Sequence, residues 1–274
     1  IILDDGSTDD SLAIIRRFEK IDDRIRVYSW GNKGIIAARN ELTALARADI
    51  IANMDADDLS MPTRLEKQYA YFQAHADSVV VTSPVLLIDA DGAPICKFWD
   101  HPNHEAIDRG NLAGGGAFIC NPASAIRKSA LISLGGFRSE IEWAEDIDFF
   151  LRAAEIGKIG VIPEVLFHYR QHLTSVGYAK KKKQFESMWL AVQQARYRRG
   201  MPQLTTKMEI ADESLQTIYL KWGWWALNAG NLGTAFKYGF KTLHDEPFNF
   251  DAVRLLFSAF KASMFNFLPF KNKA

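Results

Sequence analysis

The sequence predicts an α/β protein, a mostly parallel sheet flanked by helices, carrying an α-helical appendage at its carboxyl end. Three observations predict this. Short apolar runs alternate with segments of helical periodicity, acidic clusters stand where the apolar runs end, and strand signals stop near Ser175.

The elements follow in order. Ile1-Ile2-Leu3 reads as the end of a buried strand that drops into the turn Asp4-Asp5-Gly6-Ser7. Ser7 to Ser11 offers cap residues, and Leu12, Ile15 and Phe18 recur at helical spacing. A strand at Ile25 to Tyr28 leads to a helix opened by Gly34 and running to about Ala46, then to a buried strand at Ile50 to Met54 that ends in Asp55-Ala56-Asp57-Asp58. Pro62 starts a helix through His75, and Val79 to Thr82 and Val85 to Ile88 read as strands before the turn Asp89-Ala90-Asp91-Gly92. Beyond the glycine run Gly114-Gly115-Gly116, Ala125 to Arg127 is strand-like. Trp143 to Arg152 reads as an acidic loop entering a helix, and Gly160 to Tyr169 as a final strand region.

The remainder is helical, which places a boundary between residues 1–176 and 177–274. Ala226, Gly230, Ala235, Leu243, Pro247 and Asn249 resemble part of one tetratricopeptide-type hairpin, a single copy of which does not make an array.

Composition narrows the classes. With 274 residues, 48% of them hydrophobic, the chain can bury a sizeable core, and a disordered protein is excluded. The 33 basic residues are balanced by 33 acidic ones, which removes the bulk electrostatic case for nucleic acid as a partner. Cys96 and Cys120 are too few for a dense disulfide framework and too far apart for a close-spaced zinc pair; a reducing cytoplasm fits them best. No run reaches the roughly 18 apolar residues of a spanning helix.

Chemistry concentrates at the strand ends. Closely spaced carboxylates such as Asp55-Ala56-Asp57-Asp58 supply hard oxygen ligands for Mg²⁺ or Mn²⁺, although Asp-rich turns also cap helices. Asp4-Asp5 is equally open to a turn or a ligand-binding role. Two acidic clusters on one rim repel unless a cation joins them, so the pair argues for a metal more strongly than either alone. Glu145-Asp146 is a third cluster, suited to a general base or to the first turn of a helix. His168 and His172 lie four apart beside Arg170, and an extended segment brings only one of them to a site.

In order and spacing, several of these motifs resemble family two glycosyltransferases with the GT-A nucleotide-diphospho-sugar transferase fold. They are Leu3-Asp4-Asp5-Gly6-Ser7, Gly34 with Ala38-Arg39-Asn40, Asp55-Ala56-Asp57-Asp58 with Pro62, Gly135-Gly136-Phe137, Glu145-Asp146 and Tyr169-Arg170-Gln171-His172. The resemblance covers residues 1–176. It implies that Asp5 binds the nucleotide base with Arg39 as a weaker contact, that Asp55 lies by the ribose, and that Asp57 holds Mn²⁺ or Mg²⁺ on the diphosphate of a UDP-sugar or similar donor. Asp146 matches the family's catalytic base, with Glu145 beside it at the acceptor, a glycan or lipid-linked hydroxyl. His172 matches the histidine that completes the metal site, and His168 is left to packing. The family's pattern begins with a strand, a turn and a helix ahead of the segment that starts here at Ile1, so the resemblance implies a chain shortened at its amino end.

Two other classes compete: a sugar-phosphate nucleotidyltransferase, which shares the fold and the acidic metal site, and a non-catalytic adaptor built on the helical tail. In that tail Phe250, Val253, Phe257, Phe260, Met264 and Phe267 recur at steps of three and four, with Arg254 and Lys261 elsewhere on the wheel. This stripe suits packing on the domain. It also suits peripheral contact with the inner face of the cell membrane, where Lys180 to Lys183, Lys271 and Lys273 would meet anionic headgroups.

Overall fold

The computed structural model describes residues 1–207 and 209–266, so Phe267, Lys271 and Lys273 of the tail pattern lie outside the described residues. The chain begins with β1 (Ile2–Asp4), α1 (Ser11–Ile21), β2 (Val27–Ser29), α2 (Ile35–Leu45) and β3 (Ile50–Ala52). It continues through β4 (Leu59–Ser60), α3 (Arg64–Ala74), β5 (Ser78–Thr82), β6 (Val85–Ile88), β7 (Pro94–Phe98) and α4 (His104–Ala113). Then come β8 (Ala125–Arg127), α5 (Lys128–Ser133), α6 (Glu145–Ile156), β9 (Lys158–Val161) and β10 (Phe167–Arg170). Five helices complete the described chain: α7 (Val176–Ala179), α8 (Lys181–Arg198), α9 (Leu215–Asn228), α10 (Leu232–Asp245) and α11 (Phe250–Asn266).

The α/β class holds, with strands grouped into three sheets: β1-β2, β4-β10-β6-β7 and β3-β8-β5-β9. The expectation of a mostly parallel sheet needs correcting in one respect. β1–β2, β6–β10 and β5–β9 are parallel, while the other pairings are antiparallel. For β6 and β7 the cause is a short connection, because a strand returning through a tight turn can only run antiparallel; β8 and β4 reach their partners through long connections, which permit either direction. The turn at Asp89 to Gly92, with Gly92 at φ 87°, folds β7 back on β6 in this way. The single strand region expected at Gly160 to Tyr169 is two strands in different sheets. Pro163 lies between them and has no N–H for a ladder.

β7 and α4 stand where no element is expected from the sequence. Asn103 caps α4 by accepting the Ala106 N–H at 3.0 Å, and Gly114 at φ 74° ends it, so two local signals bracket the helix.

The core has three main parts. Val80, Ile126 and Ile159 of one sheet pack with Phe149 and Phe150 of α6. Val85, Leu87, Ile95 and Phe167 of the other large sheet meet Ile218, Tyr219 and Trp222 of α9 and Tyr238 of α10. Leu112, Ile147 and Leu151 share a cluster with Phe185, Met188 and Val192 of α8. Each fully buried side chain of this size contributes about 2 kcal/mol, so the helical tail is bound to the strands by an apolar core.

α11 has two apolar faces. Ala252, Leu255 and Ala259 are fully buried against α9 and α10, whereas Phe250, Val253, Phe257, Phe260 and Met264 are 50–87% exposed. Phe250 to Met264 of the stripe read from the sequence therefore lie on the outward face.

Candidate functional site

β3 delivers the Asp55-Ala56-Asp57-Asp58 loop, and a buried arginine holds its base. Arg64, 1% exposed, donates from Nη2 to the carbonyls of Asn53 at 2.7 Å and Ser124 at 3.1 Å. A guanidinium taken out of water needs such acceptors, and burial lowers its pKa to about 10. Asn53 is pinned further through its side-chain amide to Asn121 Oδ1 at 3.0 Å.

The three carboxylates of the loop differ. Asp55 is half-buried; burial raises its pKa, Arg39 opposes this, and the charges of Asp57 and Asp146 add to it. Asp57 is exposed, with Oδ2 at 2.8 Å from His172 Nε2. Asp58 is buried: Oδ1 accepts the Arg170 N–H at 2.8 Å, Oδ2 has no partner, and burial pushes its pKa up to about 7.

The end of β10 supplies the facing wall. Arg170 donates from Nε to the Asp57 carbonyl at 2.6 Å and from Nη1 to the carbonyls of Asp89 and Ala90 at 3.1 and 2.9 Å. Gln171 continues the ladder to Ile88 O at 2.8 Å, and His172 Nδ1 is oriented by Thr174 Oγ1 at 2.8 Å. His168 sits inside the strand, opposite Leu86 and Leu59.

Glu145 and Asp146 open α6. Trp143 just ahead has φ 73°, a conformation uncommon for a bulky side chain. Glu145 is buried in direct contact with the Arg39 guanidinium. Burial and Asp146 raise its pKa, Arg39 lowers it, and Asp55 adds to the rise. Asp146 is half-buried, and its Oδ1 accepts the N–H of Ile147 at 2.8 Å. α2 is tied to the approach of α6 by Asn40, which donates to Phe137 O at 2.8 Å and accepts the Phe137 N–H at 2.9 Å.

The structure thus gathers Asp55, Asp57, His172, Arg39, Glu145 and Asp146 of the residues singled out in the sequence: Asp57 meets His172, Arg39 meets Glu145, and Asp57 and Asp146 both act on Asp55. Asp5 is engaged elsewhere. Its Oδ1 accepts Trp30 Nε1 and Lys33 N, each at 2.8 Å, and its Oδ2 accepts Gly34 N at 2.9 Å, so it shapes the loop that starts α2. Arg39 pairs through Nη1 with Glu145 Oε1. Sequence reasoning passed over Arg64, read Asp89 only as part of a turn and named the guanidinium of Arg170 without its partners, because those partners are distant in the chain.

The donors fit a divalent cation. The Asp57 carboxylate is a hard oxygen ligand of the kind that Mn²⁺ or Mg²⁺ takes, the His172 imidazole beside it is a softer nitrogen donor, and the unpartnered Oδ2 of Asp58 lies one residue from Asp57. Among the described residues no group of three or more His, Cys, Asp or Glu side chains could hold a metal. That is the expected arrangement for an ion that takes its other ligands from phosphate oxygens and water.

The chain is similar to known proteins in sequence and in fold. Residues 1–135 match the family described as Glycosyl transferase family 2. The chain is 36% identical over 176 residues to EpsE of Bacillus subtilis (strain 168), covering 62% of this chain and 62% of that protein, less than two thirds of its length. It is 31% identical over 179 residues to the O-antigen biosynthesis glycosyltransferase WbnJ of Escherichia coli, covering 63% of this chain and 67% of that one. The crystal structure of S. aureus TarS residues 1–349 superposes with a TM-score of 0.54 at 17% identity, covering 95% of this chain and 70% of that one, a likeness of fold. The chain belongs to glycosyltransferase family 2 and has its GT-A type of α/β fold.

Proposed function

We propose that the protein transfers a sugar, with inversion, from a nucleoside-diphosphate sugar such as a UDP-sugar to a hydroxyl of a glycan or lipid-linked acceptor during surface polysaccharide synthesis. The observation that carries this reading is the Asp57–His172 contact at 2.8 Å, with the half-buried Asp146 and Asp57 both close enough to Asp55 for their charges to raise its pKa.

Each residue then has a task. Asp146 takes the proton of the acceptor hydroxyl, whose oxygen attacks the anomeric carbon from the face opposite the leaving diphosphate. It stands in the first turn of α6. Glu145, held by Arg39, fixes the backbone on which Asp146 stands. Asp55 lines the donor side at the ribose. Asp5 fixes the loop to α2, and the nucleotide base stacks near that loop. Mn²⁺ or Mg²⁺ held by Asp57 and His172 would neutralise charge on the departing nucleoside diphosphate.

The name of the Escherichia coli relative, an O-antigen biosynthesis glycosyltransferase, supports a surface polysaccharide as the setting. We place the protein in the cytoplasm, peripheral at the inner face of the membrane. The outward stripe of α11 supports this, and no helix among the described residues is long and apolar enough to cross.

The test incubates the protein with Mn²⁺ and a panel of nucleotide sugars and follows nucleoside diphosphate release with and without acceptor. Release with one donor is expected. Turnover of a nucleoside triphosphate with a sugar phosphate instead would move the protein to the nucleotidyltransferases.

A further inference from the structure

The turn joining β6 to β7 contains a carboxylate that the proposed transfer does not use. Asp89 is fully buried. Its Oδ1 closes the turn by accepting the N–H groups of Asp91 and Ala93, and its Oδ2 accepts Lys237 Nζ at 2.5 Å and Tyr238 OH at 3.0 Å, both from α10. Lys237 also reaches Asp91 Oδ2 at 2.6 Å. On its other side the same turn presents the carbonyls of Asp89 and Ala90 to Arg170, whose Nε holds the Asp57 carbonyl and whose N–H holds Asp58. An unbroken series of polar contacts runs from the appendage to the acidic loop.

A second series runs alongside it. Trp222 of α9 donates from Nε1 to Tyr178 OH at 2.8 Å, and Tyr178 OH donates to Gln171 Oε1 at 3.1 Å. Gln171 lies between Arg170 and His172, so both neighbours of the Asp57–His172 pair are tied to the helical region.

We propose that Lys237 is a positioning residue for the acidic rim: through Asp89 and Arg170 it holds Asp57 and Asp58 in register with His172. The appendage is then a working part of the site. Removal of the ammonium frees the Asp89 turn to move, Arg170 loses two of its fixed acceptors, and the Asp57 carbonyl loses a fixed donor. Outer partners of this kind tune metal sites without touching the ion.

The proposal rests on the metal reading of Asp57 and His172, and two measurements on the full chain separate the two. The first is amide hydrogen exchange at Arg170, whose N–H bonds to Asp58 and needs no metal to be read. The second is Mn²⁺ affinity in the presence of nucleoside diphosphate, followed by the electron paramagnetic resonance signal of free Mn²⁺. Lys237→Met should speed exchange at Arg170 and weaken Mn²⁺ binding roughly ten-fold, and Lys237→Arg, which can span Asp89 and Asp91, should restore both. Leu255→Ala loosens the packing of α11 but leaves these contacts in place, and should keep wild-type Mn²⁺ affinity. Unchanged exchange in Lys237→Met overturns the proposal, as does an equal loss of affinity in Leu255→Ala. Faster exchange in Lys237→Met, with no Mn²⁺ binding by the wild type, supports the mechanical link and overturns the metal reading alone.

Discussion

Arg39 and Glu145 form an ion pair across 106 positions of sequence, with Nη1 of the guanidinium against Oε1 of a carboxylate whose side chain is 6% exposed. It joins α2 to the first turn of α6. Breaking a buried pair leaves one charge without a partner, which costs about 3 kcal/mol or more. Arg39→Met should lose that much stability at pH 8 and less at pH 5. With the arginine gone Glu145 is neutral in the fold at low pH, and the penalty grows as pH rises and the carboxyl must ionise. Arg39→Met with Glu145→Gln should recover most of the loss. Urea denaturation of the four variants at both pH values measures it, and a loss independent of pH would contradict the account.

The base and the metal ligand separate by what each removal spares. Asp146→Asn keeps the shape of the side chain but cannot take a proton, so transfer should fall by roughly 100-fold or more while nucleotide binding persists. Asp57→Ala should instead abolish the effect of Mn²⁺ on donor binding. Calorimetry of donor binding with and without Mn²⁺, beside the rate of nucleoside diphosphate release, distinguishes the two losses. Full activity in Asp146→Asn would remove it from the role of base.

Asp89 makes stability depend on acidity. Burial raises its pKa, but the hydrogen bonds from Lys237, Ala93 and Tyr238 lower it further, and the net shift is downward. A carboxyl lowered in the fold contributes stability at pH values above its unfolded value of about 4, and the contribution is lost as pH falls through the folded value. The difference in urea midpoint between wild type and Asp89→Asn should therefore be steady near pH 6 and shrink below pH 4. A difference that stays constant to pH 2 would refute the pairing.

Gly136 carries the close approach of the turn before α6 to α2. It has φ 73°, and a Cβ there would lie 2.4 Å from Asn40 Oδ1. Gly136→Ala should cost about 2 kcal/mol by strain and by displacing the Asn40 bonds to Phe137. Thermal denaturation of this variant beside Gly135→Ala, which has open space around its Cβ position, isolates the contact.

The outward stripe of α11 gives the last prediction. The full-length protein should float with liposomes containing anionic lipid, and Phe257→Ser with Phe260→Ser should release it without loss of stability, since both side chains are more than half exposed. Wild-type protein that stays in the aqueous fraction would count against membrane contact.

The sequence carried those features whose cause is local. Apolar runs, caps and turn residues marked most strands and helices, and acidic residues at strand ends marked the rim. Strand direction was hidden, because whether β8 runs against β3 and β5 depends on how the chain between them is routed. The partner of Arg39 and the lysine over Asp89 were hidden by distance, since nothing in a short window announces a contact with another element. Periodicity found the α11 stripe but could not say which way it faces, because the same helix carries a second apolar row of small residues, Ala252 and Ala259, that docks inward.

Lys237 lies 148 residues after Asp89. At ordinary rates of synthesis the carboxylate therefore leaves the ribosome roughly 7 to 30 s before its ammonium partner. A charge that must end up fully buried cannot be enclosed during that interval, so the β6–β7 turn waits hydrated until α10 emerges. The acidic rim that hangs from it is among the last parts of the molecule to set. Messages cut short ahead of α10 would yield chains with every described strand and an unfinished acidic rim.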